Sequence, residues 1–461
     1  METEGKQTYL YRIALVATIG AFLFGFDSMI FSAASLSLKD YFELTPAQFG
    51  FAGGSMVLGS VVGAVIGGVF SDRFGRRKSL FLAAFMYAVS AIGTALPQTF
   101  DQFWFFRIVG GAGIGIAMIN SPMYLSEIAP SRLRGPILSV NQFLTVLGAL
   151  IAMLIGYYIT HYMKEVLPPD VNWRWMFASE LIPIALLTLG LKFIPESPRW
   201  LATQERYEES LKVLSDINGD EKAEAELAAI KQSIADEAKE ATSYKELFLP
   251  GIRMALIIAI GLAVLQHLSG GAALTLYAPS IYEDAGYDDP SLAIGLAVLL
   301  NVCHLFCVVI AILFVERWGR KPLLIGGLGI KAIGHFILAW FFYNHQTGLL
   351  FLVVYFITVC ISNLSIAPLA WVVMAEIFPN RIRAKGMAVT TFVLFGASYL
   401  NLQFFPQLMD FFEGRWGTPS AVFLLFGTLC IGGVIFIAAV VPETKGKSLE
   451  QIAETLLKKN K

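Results

Sequence analysis

Charge is scarce in this sequence. Only 15% of its 461 residues are Asp, Glu, Lys or Arg, and 56% are apolar, whereas a soluble domain carries about a quarter charged residues. A soluble chain of this length has no interior that could hide so much apolar surface. Cysteine is scarce as well: Cys303, Cys307, Cys360 and Cys430 are the only four, and all fall inside long apolar stretches, which excludes a disulfide framework. Among the five histidines, the nearest approach to metal-ligand spacing is His304 with Cys307, a pattern too sparse to predict a metal. Nucleophile elbow, phosphate loop and metal cluster are all missing, so neither an enzyme nor a cofactor is expected. A formal net charge of −1 offers nothing to a nucleic acid.

Long apolar runs are what the sequence has instead. Runs long enough to cross a bilayer lie near 10–34, 47–70, 79–97, 102–124, 136–160 and 174–194, then near 253–278, 291–315, 322–343, 347–375, 386–411 and 418–441. The prediction is an all-α membrane protein with twelve spans, six before and six after a charged middle. Met1 to Lys6 mixes charges, and the stretch after it lacks a small-residue cleavage site; the first span is therefore expected to stay in the membrane.

The two sets of six are related. Asp72-Arg73-Phe74-Gly75-Arg76-Arg77 returns as Glu316-Arg317-Trp318-Gly319-Arg320-Lys321, at an offset of 244. Glu127-Ile128-Ala129-Pro130-Ser131-Arg132-Leu133-Arg134 returns as Glu376-Ile377-Phe378-Pro379-Asn380-Arg381-Ile382-Arg383, at 249. Pro195-Glu196-Ser197-Pro198 is answered by Pro442-Glu443-Thr444-Lys445, at 247. A near-constant offset in one order predicts parallel duplication. The expected organisation is a six-helix half over 1–195, a helical linker over 196–251, a second six-helix half over 252–441 and a tail over 442–461. In the linker, Glu205-Arg206-Tyr207-Glu208-Glu209 and Lys222-Ala223-Glu224-Ala225-Glu226 read as short amphipathic helices, serving as a spacer or as a latch.

Basic residues set the orientation. Arg73, Arg76, Arg77, Lys78, Arg132, Arg134, Arg317, Arg320, Lys321, Arg381, Arg383 and Lys385 lie on one side, against Lys39, Lys164, Arg174 and Arg415 on the other. The positive-inside rule then puts both termini in the cytoplasm. The Gly-Arg turns around Gly75 and Gly319 are either topogenic or part of an ionic gate.

Asp27 is an intramembrane acid with Arg107 as its expected partner. An ionised carboxylate there needs pairing or water. The pair reads as a proton switch, which binds Arg107 when deprotonated and releases it when protonated, or as a static ion pair.

Together with these turns, Pro122-Met123-Tyr124-Leu125-Ser126-Glu127, Pro195-Glu196-Ser197-Pro198-Arg199-Trp200-Leu201, Gln266 with Ser269-Gly270 and Tyr277-Ala278-Pro279, and Pro442-Glu443-Thr444-Lys445-Gly446 resemble the sugar porters of the major facilitator superfamily. The resemblance spans nearly the whole chain. It implies a twelve-helix fold, alternating access around a central site, and proton-coupled symport of a sugar or polyol. By match it assigns Asp72, Arg73, Arg76, Glu127, Arg134, Glu196, Arg199, Glu316, Arg320, Glu376, Arg383 and Glu443 to a cytoplasmic ionic gate. Aspartate at the Asp27 position marks proton-coupled members, and Glu180 matches a further acid that such members carry.

Phe24, Gln142, Gln266, Tyr277 and Trp371 match sugar-site positions, and Phe395 stands where the family has a tryptophan. The pattern also departs from the family: His267 replaces a second glutamine, and Ala149, Ala272, Leu276 and Leu394 replace polar or aromatic groups. His267 and His304 then read as substrate contacts or as packed, backbone-bonded histidines. Lys331 and His335 share one face of the ninth span with no role assigned. A facilitator, and a carrier of a less hydroxylated organic solute, stay open beside sugar symport. A membrane sensor fits less well, since only 442–461 follow the last span. The expected setting is a plasma membrane, with the bacterial inner membrane favoured. The expected partners are solute, proton and lipid bilayer, and the expected state is a monomer.

Overall fold

The structure, a computed structural model, describes residues 2–168, 171–239, 243–249 and 252–445. Side chains are described for all of these except 2–8, 131–139, 221, 236–239, 312–318 and 380. The sequence-predicted tail beyond Lys445 lies outside the described residues.

Helices make up the described chain. The first five predicted spans are α1 (Glu2–Tyr41), α2 (Pro46–Phe74), α3 (Arg76–Ala95), α4 (Phe100–Ile128) and α5 (Ser131–Tyr162). The sixth is divided into α6 (Asn172–Ala178) and α7 (Leu181–Gly190). The interruption has a cause in the sequence: Pro183 has no N–H to return to the Ser179 carbonyl, and that carbonyl instead accepts from Ile182 at 3.2 Å.

Three short helices follow, α8 (Pro198–Thr203), α9 (Tyr207–Asn218) and α10 (Asp220–Lys239). They bury a small core of their own, formed by Ala202, Leu214, Ala223 and Leu227. The described part of this stretch is thus built of packed helices with a shared apolar face.

The second set of spans opens with α11 (Ile252–Leu268), α12 (Gly271–Leu276) and α13 (Ala278–Asp284), three pieces of one broken span and its extension. It continues with α14 (Pro290–Trp318) and α15 (Arg320–Tyr343), then the broken span α16 (Leu349–Leu364) and α17 (Ile366–Ile377), and ends with α18 (Arg383–Trp416) and α19 (Ser420–Val440). Among the described residues, eleven helices are long and apolar enough to cross a membrane. With α6 and α7 taken together as the sixth span, all twelve predicted crossings have a helical counterpart.

Packing divides the chain into two units. The first takes the described parts of Met1–Phe31, Ser55–Ile159 and Val171–Ala241; the second takes those of Ser32–Gly54, Thr160–Asp170 and Thr242–Lys461. The connected ends of α1 and α2 therefore belong to the second unit. There the Gln403 amide donates to the Ala47 carbonyl at 3.0 Å.

Inside the first unit, α2 and α4 cross with almost no side chain between them. A Cβ added at Gly59 would stand 2.1 Å from the Ile108 carbonyl oxygen, one at Gly63 2.0 Å from that of Ala112, and one at Gly115 2.1 Å from that of Ser60. Small residues four apart let the two backbones touch, which is how helices associate where lipid supplies no hydrophobic drive. Each unit has one main apolar core. Leu80, Tyr87, Ile114 and Leu187 belong to the first, and Leu262, Leu328, Leu369 and Ile437 to the second.

Candidate functional site

The α1 and α4 helices bring Asp27 and Arg107 together inside the first unit, both almost fully buried. Arg107 Nη1 donates to Asp27 Oδ1. The guanidinium lies over the rings of Phe31 and Phe177, 5.4 and 5.7 Å from their centroids, and Nη2 is 3.5 Å from the Met56 sulfur. This is a one-point contact rather than a bidentate fork. Asp27 Oδ2 and Arg107 Nε have no hydrogen-bond partner among the described residues. Oδ2 is therefore free to take a proton without first displacing another group.

Glu180 is buried at the α6–α7 interruption and interacts electrostatically with both members of the pair. Two carboxylic acids and one guanidinium share this buried cluster, so a single bound proton makes it neutral. Tyr87, on the buried face of α3, adds a hydroxyl that has no partner among the described residues and that interacts with both acids. Sequence reasoning missed it, because Tyr87 shares the buried face of α3 with other polar residues, Ser79, Ser90 and Thr94 among them, and nothing in the sequence sets it apart.

The repeated turns form two equivalent clusters, one in each unit. In the first, the Glu196 carboxylate accepts from the backbone N–H groups of Arg76 (2.9 Å) and Arg77 (3.1 Å) at the start of α3. A carboxylate at a helix N-terminus satisfies orphan donors and complements the helix dipole. Arg76 in turn pairs with Glu127 at 2.9 Å and reaches Asp72 at 3.5 Å. Trp200 Nε1 donates to the Asp72 carbonyl at 3.0 Å, and the Tyr124 hydroxyl to that of Pro195 at 2.7 Å. Arg73 lies over the Phe74 ring and Arg199 donates to Ser233 Oγ at 3.4 Å.

In the second unit, Glu443 accepts from the N–H groups of Arg320 and Lys321, both at 3.1 Å, and Arg320 pairs with Glu376 at 3.2 Å. Burial pushes the Glu443 carboxyl up, but the N–H groups of Lys445, Arg320, Lys321 and Thr444 outweigh it and hold it below the usual carboxylate range. Among the described residues, Arg383 donates to the Phe378 carbonyl at 3.5 Å. Arg381 instead pairs with Glu246, a partner that sequence reasoning did not name. The side chains of Arg134 and Glu316 lie outside the described residues.

Gly75 (φ +99°) and Gly319 (φ +84°) make the two turns, and with ψ of 165° and 154° both occupy a region open essentially to glycine alone. An added Cβ would stand 2.3 Å from Glu196 Oε2 at Gly75 but 3.0 Å from Glu443 Oε2 at Gly319. Backbone strain alone costs about 1–3 kcal/mol at such positions. Gly75→Ala is expected to lower the thermal unfolding temperature in detergent further than Gly319→Ala does. Equal losses would mean that the carboxylate cap yields freely.

The predicted substrate residues fall in both units and are described within each. In the first, Phe24 is half-buried against the core and Gln142 is exposed. In the second, α11 packs against both α17 and α18, which carry Trp371 and Phe395; both side chains are half-buried on the core of that unit. On α11 itself, Gln266 Oε1 and both ring nitrogens of His267 have no partner among the described residues. Unspent amide and imidazole groups are what a hydroxylated solute requires. His304 is buried on α14 with Nε2 unpartnered. Tyr277 is placed otherwise: it is fully buried, its hydroxyl donates to the Leu402 carbonyl at 3.0 Å, and its ring stacks on Phe405. Its polar atom is thus engaged within the second unit.

Known proteins are similar to this chain over nearly all of its length. A family profile described as "Sugar (and other) transporter" matches residues 13–456. The chain is 35% identical over 451 residues to the arabinose-proton symporter of Bacillus subtilis (strain 168), covering 98% of this chain and 96% of that one. It is 32% identical over 483 residues to the D-xylose-proton symporter of Escherichia coli (strain K12), covering 98% and 96%. Its fold matches the inward open conformation of the xylose transporter XylE from E. coli with a TM-score of 0.85 at 32% identity, over 97% of this chain and 99% of that one. The chain belongs to the sugar (and other) transporter family.

Proposed function

We propose that this multi-pass membrane protein is a secondary active transporter that couples inward proton flow to symport of a sugar or polyol by alternating access. The observation that carries the reading is the Asp27–Arg107 pair, which leaves one carboxylate oxygen unpartnered inside a buried cluster, in a chain similar to two sugar–proton symporters. In this scheme a proton on Asp27 loosens its hold on Arg107, and Glu180 passes the change along the first unit. Gln266 and His267 supply hydrogen bonds to the solute, helped by Phe24, Gln142 and His304, while Trp371 and Phe395 supply apolar faces. Tyr277 joins them once its hydroxyl leaves the Leu402 carbonyl.

The clusters around Arg76 and Arg320 serve as the cytoplasmic gate, with Asp72, Arg73, Glu127, Arg134, Glu196 and Arg199 on the first and Glu316, Glu376, Arg383 and Glu443 on the second. The protein is assigned to a plasma membrane, as a monomer with both termini in the cytoplasm, and the basic turns favour that orientation. A bacterial inner membrane suits the similarity to bacterial symporters.

A second reading is a less hydroxylated organic solute, favoured by the apolar residues Ala149, Ala272, Leu276 and Leu394 at positions where sugar porters carry polar or aromatic groups. The deciding measurement is uptake of labelled D-xylose, L-arabinose and other monosaccharides and polyols into proteoliposomes, with and without an inward proton gradient. Gradient-driven accumulation of one of them is expected. Uptake that equilibrates without accumulating would make the protein a facilitator, and no uptake from the whole panel would favour the second reading.

A further inference from the structure

The proposed mechanism leaves one buried cation in the second unit unused. Lys331 lies in the middle of α15 and is 1% exposed. Its ammonium donates to Ser269 Oγ at 3.0 Å and to Ser362 Oγ at 2.5 Å. Among the described residues no carboxylate forms an ion pair with it. The other titratable groups facing it are His335 on α15, His267 on α11 and Cys430 on α19. A charged side chain in the hydrocarbon region is expensive, rare and usually functional, so a buried ammonium held by two serine hydroxyls calls for an account.

Each serine sits at a helix interruption. Ser269 directly follows α11 and precedes Gly270, whose φ of +88° turns the chain out of the helix. Ser362 lies three residues before Ser365, where α16 stops, and its carbonyl accepts from the Ser365 N–H at 3.3 Å. Pro368 removes the donor that would have carried α16 on into α17. The last carbonyls of a helix need outside partners, and α15 provides one: His335 Nε2 is 3.0 Å from the Ser269 carbonyl oxygen. One helix, α15, thus holds both interruptions, through residues four apart on one face.

The internal repeat isolates this feature. At the offset of 244 that relates Asp72 to Glu316, Lys331 answers Tyr87 and Gly271 answers Asp27. A Cβ on Gly271 would lie 3.0 Å from Lys331 Nζ. In the first unit the matching helices α1 and α4 are unbroken, and the matching residue on α3 is a tyrosine. The lysine accompanies the breaks.

We propose that Lys331 is a positioning residue for transport, tying the interruption after α11 to the interruption after α16 so that the two move together as the carrier reorients. The proposal rests on the transporter reading, because discontinuous helices are the parts that carry substrate groups and bend in such proteins. The hydrogen bonds of Lys331 go to the two serines at the interruptions, so in this scheme its loss acts on rate and not on affinity.

The test uses the full chain, with D-xylose and L-arabinose as probes. Lys331→Met is expected to lower the maximal rate of sugar exchange about tenfold while sugar affinity, read from tryptophan fluorescence, stays within about twofold. Ser269→Ala with Ser362→Ala is expected to give the same fall, and adding Lys331→Met to that pair no further one, as a shared contact requires. Amide hydrogen exchange around residues 269–277 and 363–367 is expected to quicken at both interruptions together. Parallel loss of affinity and rate, additive effects, or unchanged amide exchange would each overturn the proposal. If the wild type moves neither sugar, the symport reading fails separately, while amide exchange still decides the role of Lys331. If Lys331→Met does not fold, the double serine variant carries the same measurements.

Discussion

Asp27→Asn is expected to abolish proton-driven accumulation while leaving sugar exchange across the membrane intact. With one proton per sugar, an inward gradient of one pH unit is worth about 1.4 kcal/mol and sustains about tenfold accumulation. The variant is expected to hold the inside and outside concentrations about equal under the same gradient. The reason lies in the pair itself. Asparagine keeps the size of the side chain and an acceptor for Arg107 Nη1, but it has no second oxygen that can bind a proton, and Oδ2 is the oxygen left without a partner. Glu180→Gln, measured alongside, separates the roles of the two acids. Accumulation that survives in Asp27→Asn but not in Glu180→Gln would move the proton to Glu180. Accumulation in both variants would leave the cluster a static anchor.

Arg107→Met carries the largest expected stability loss. Removing one partner of a buried ion pair costs about 3–5 kcal/mol, because the other charge stays behind without compensation. Here the loss is compounded, since Arg107 is the cation that both Asp27 and Glu180 interact with among the described residues and its guanidinium also covers Phe31 and Phe177. Arg107→Met with Asp27→Asn is expected to regain part of the lost thermal stability in detergent, because one of the two carboxylates left without a cation is gone. A double variant as unstable as the single one would show that Arg107 matters through packing on the two rings and not through charge.

Most of the architecture could be read from apolar length and repetition, and the particular failures are instructive. Hydropathy finds where the chain can cross a bilayer, but it is blind to backbone continuity. The spans near 174–194, 253–278 and 347–375 read as single helices, and all three are interrupted. Pro183 and Pro368 marked two of those places in advance, whereas the αL turn at Gly270 had only its glycine to announce it. Hydropathy is equally silent about neighbours. Nothing in the pattern of 32–54 predicts that this stretch packs with the second unit, through contacts such as Gln403 to Ala47.

Asp27 and Arg107 were legible because charge inside an apolar run is conspicuous. Tyr87 and Glu246 were not, because an aromatic in a span or an acid in a charged linker looks ordinary until its partner is placed. Tyr277 carried a site-like motif, yet its hydroxyl meets a backbone carbonyl, an acceptor present at every residue and therefore invisible to side-chain reasoning.

The helix caps have a bearing on biogenesis. Glu196 lies 120 residues after the Arg76 N–H that it accepts from, and Glu443 lies 123 after that of Arg320. Each carboxylate belongs to the segment that follows the last helix of its repeat, so the start of α3 or of α15 stays unlatched until its whole repeat has been synthesised. At about 5–20 residues per second, translating 120 residues takes about 6–24 s, and throughout that interval the Arg76 and Arg77 amides must rely on water or a chaperone. The last piece made is the clasp. A ribosome that stalls just before residue 196 has translated all six spans of the first repeat, and α3 is still uncapped at its start.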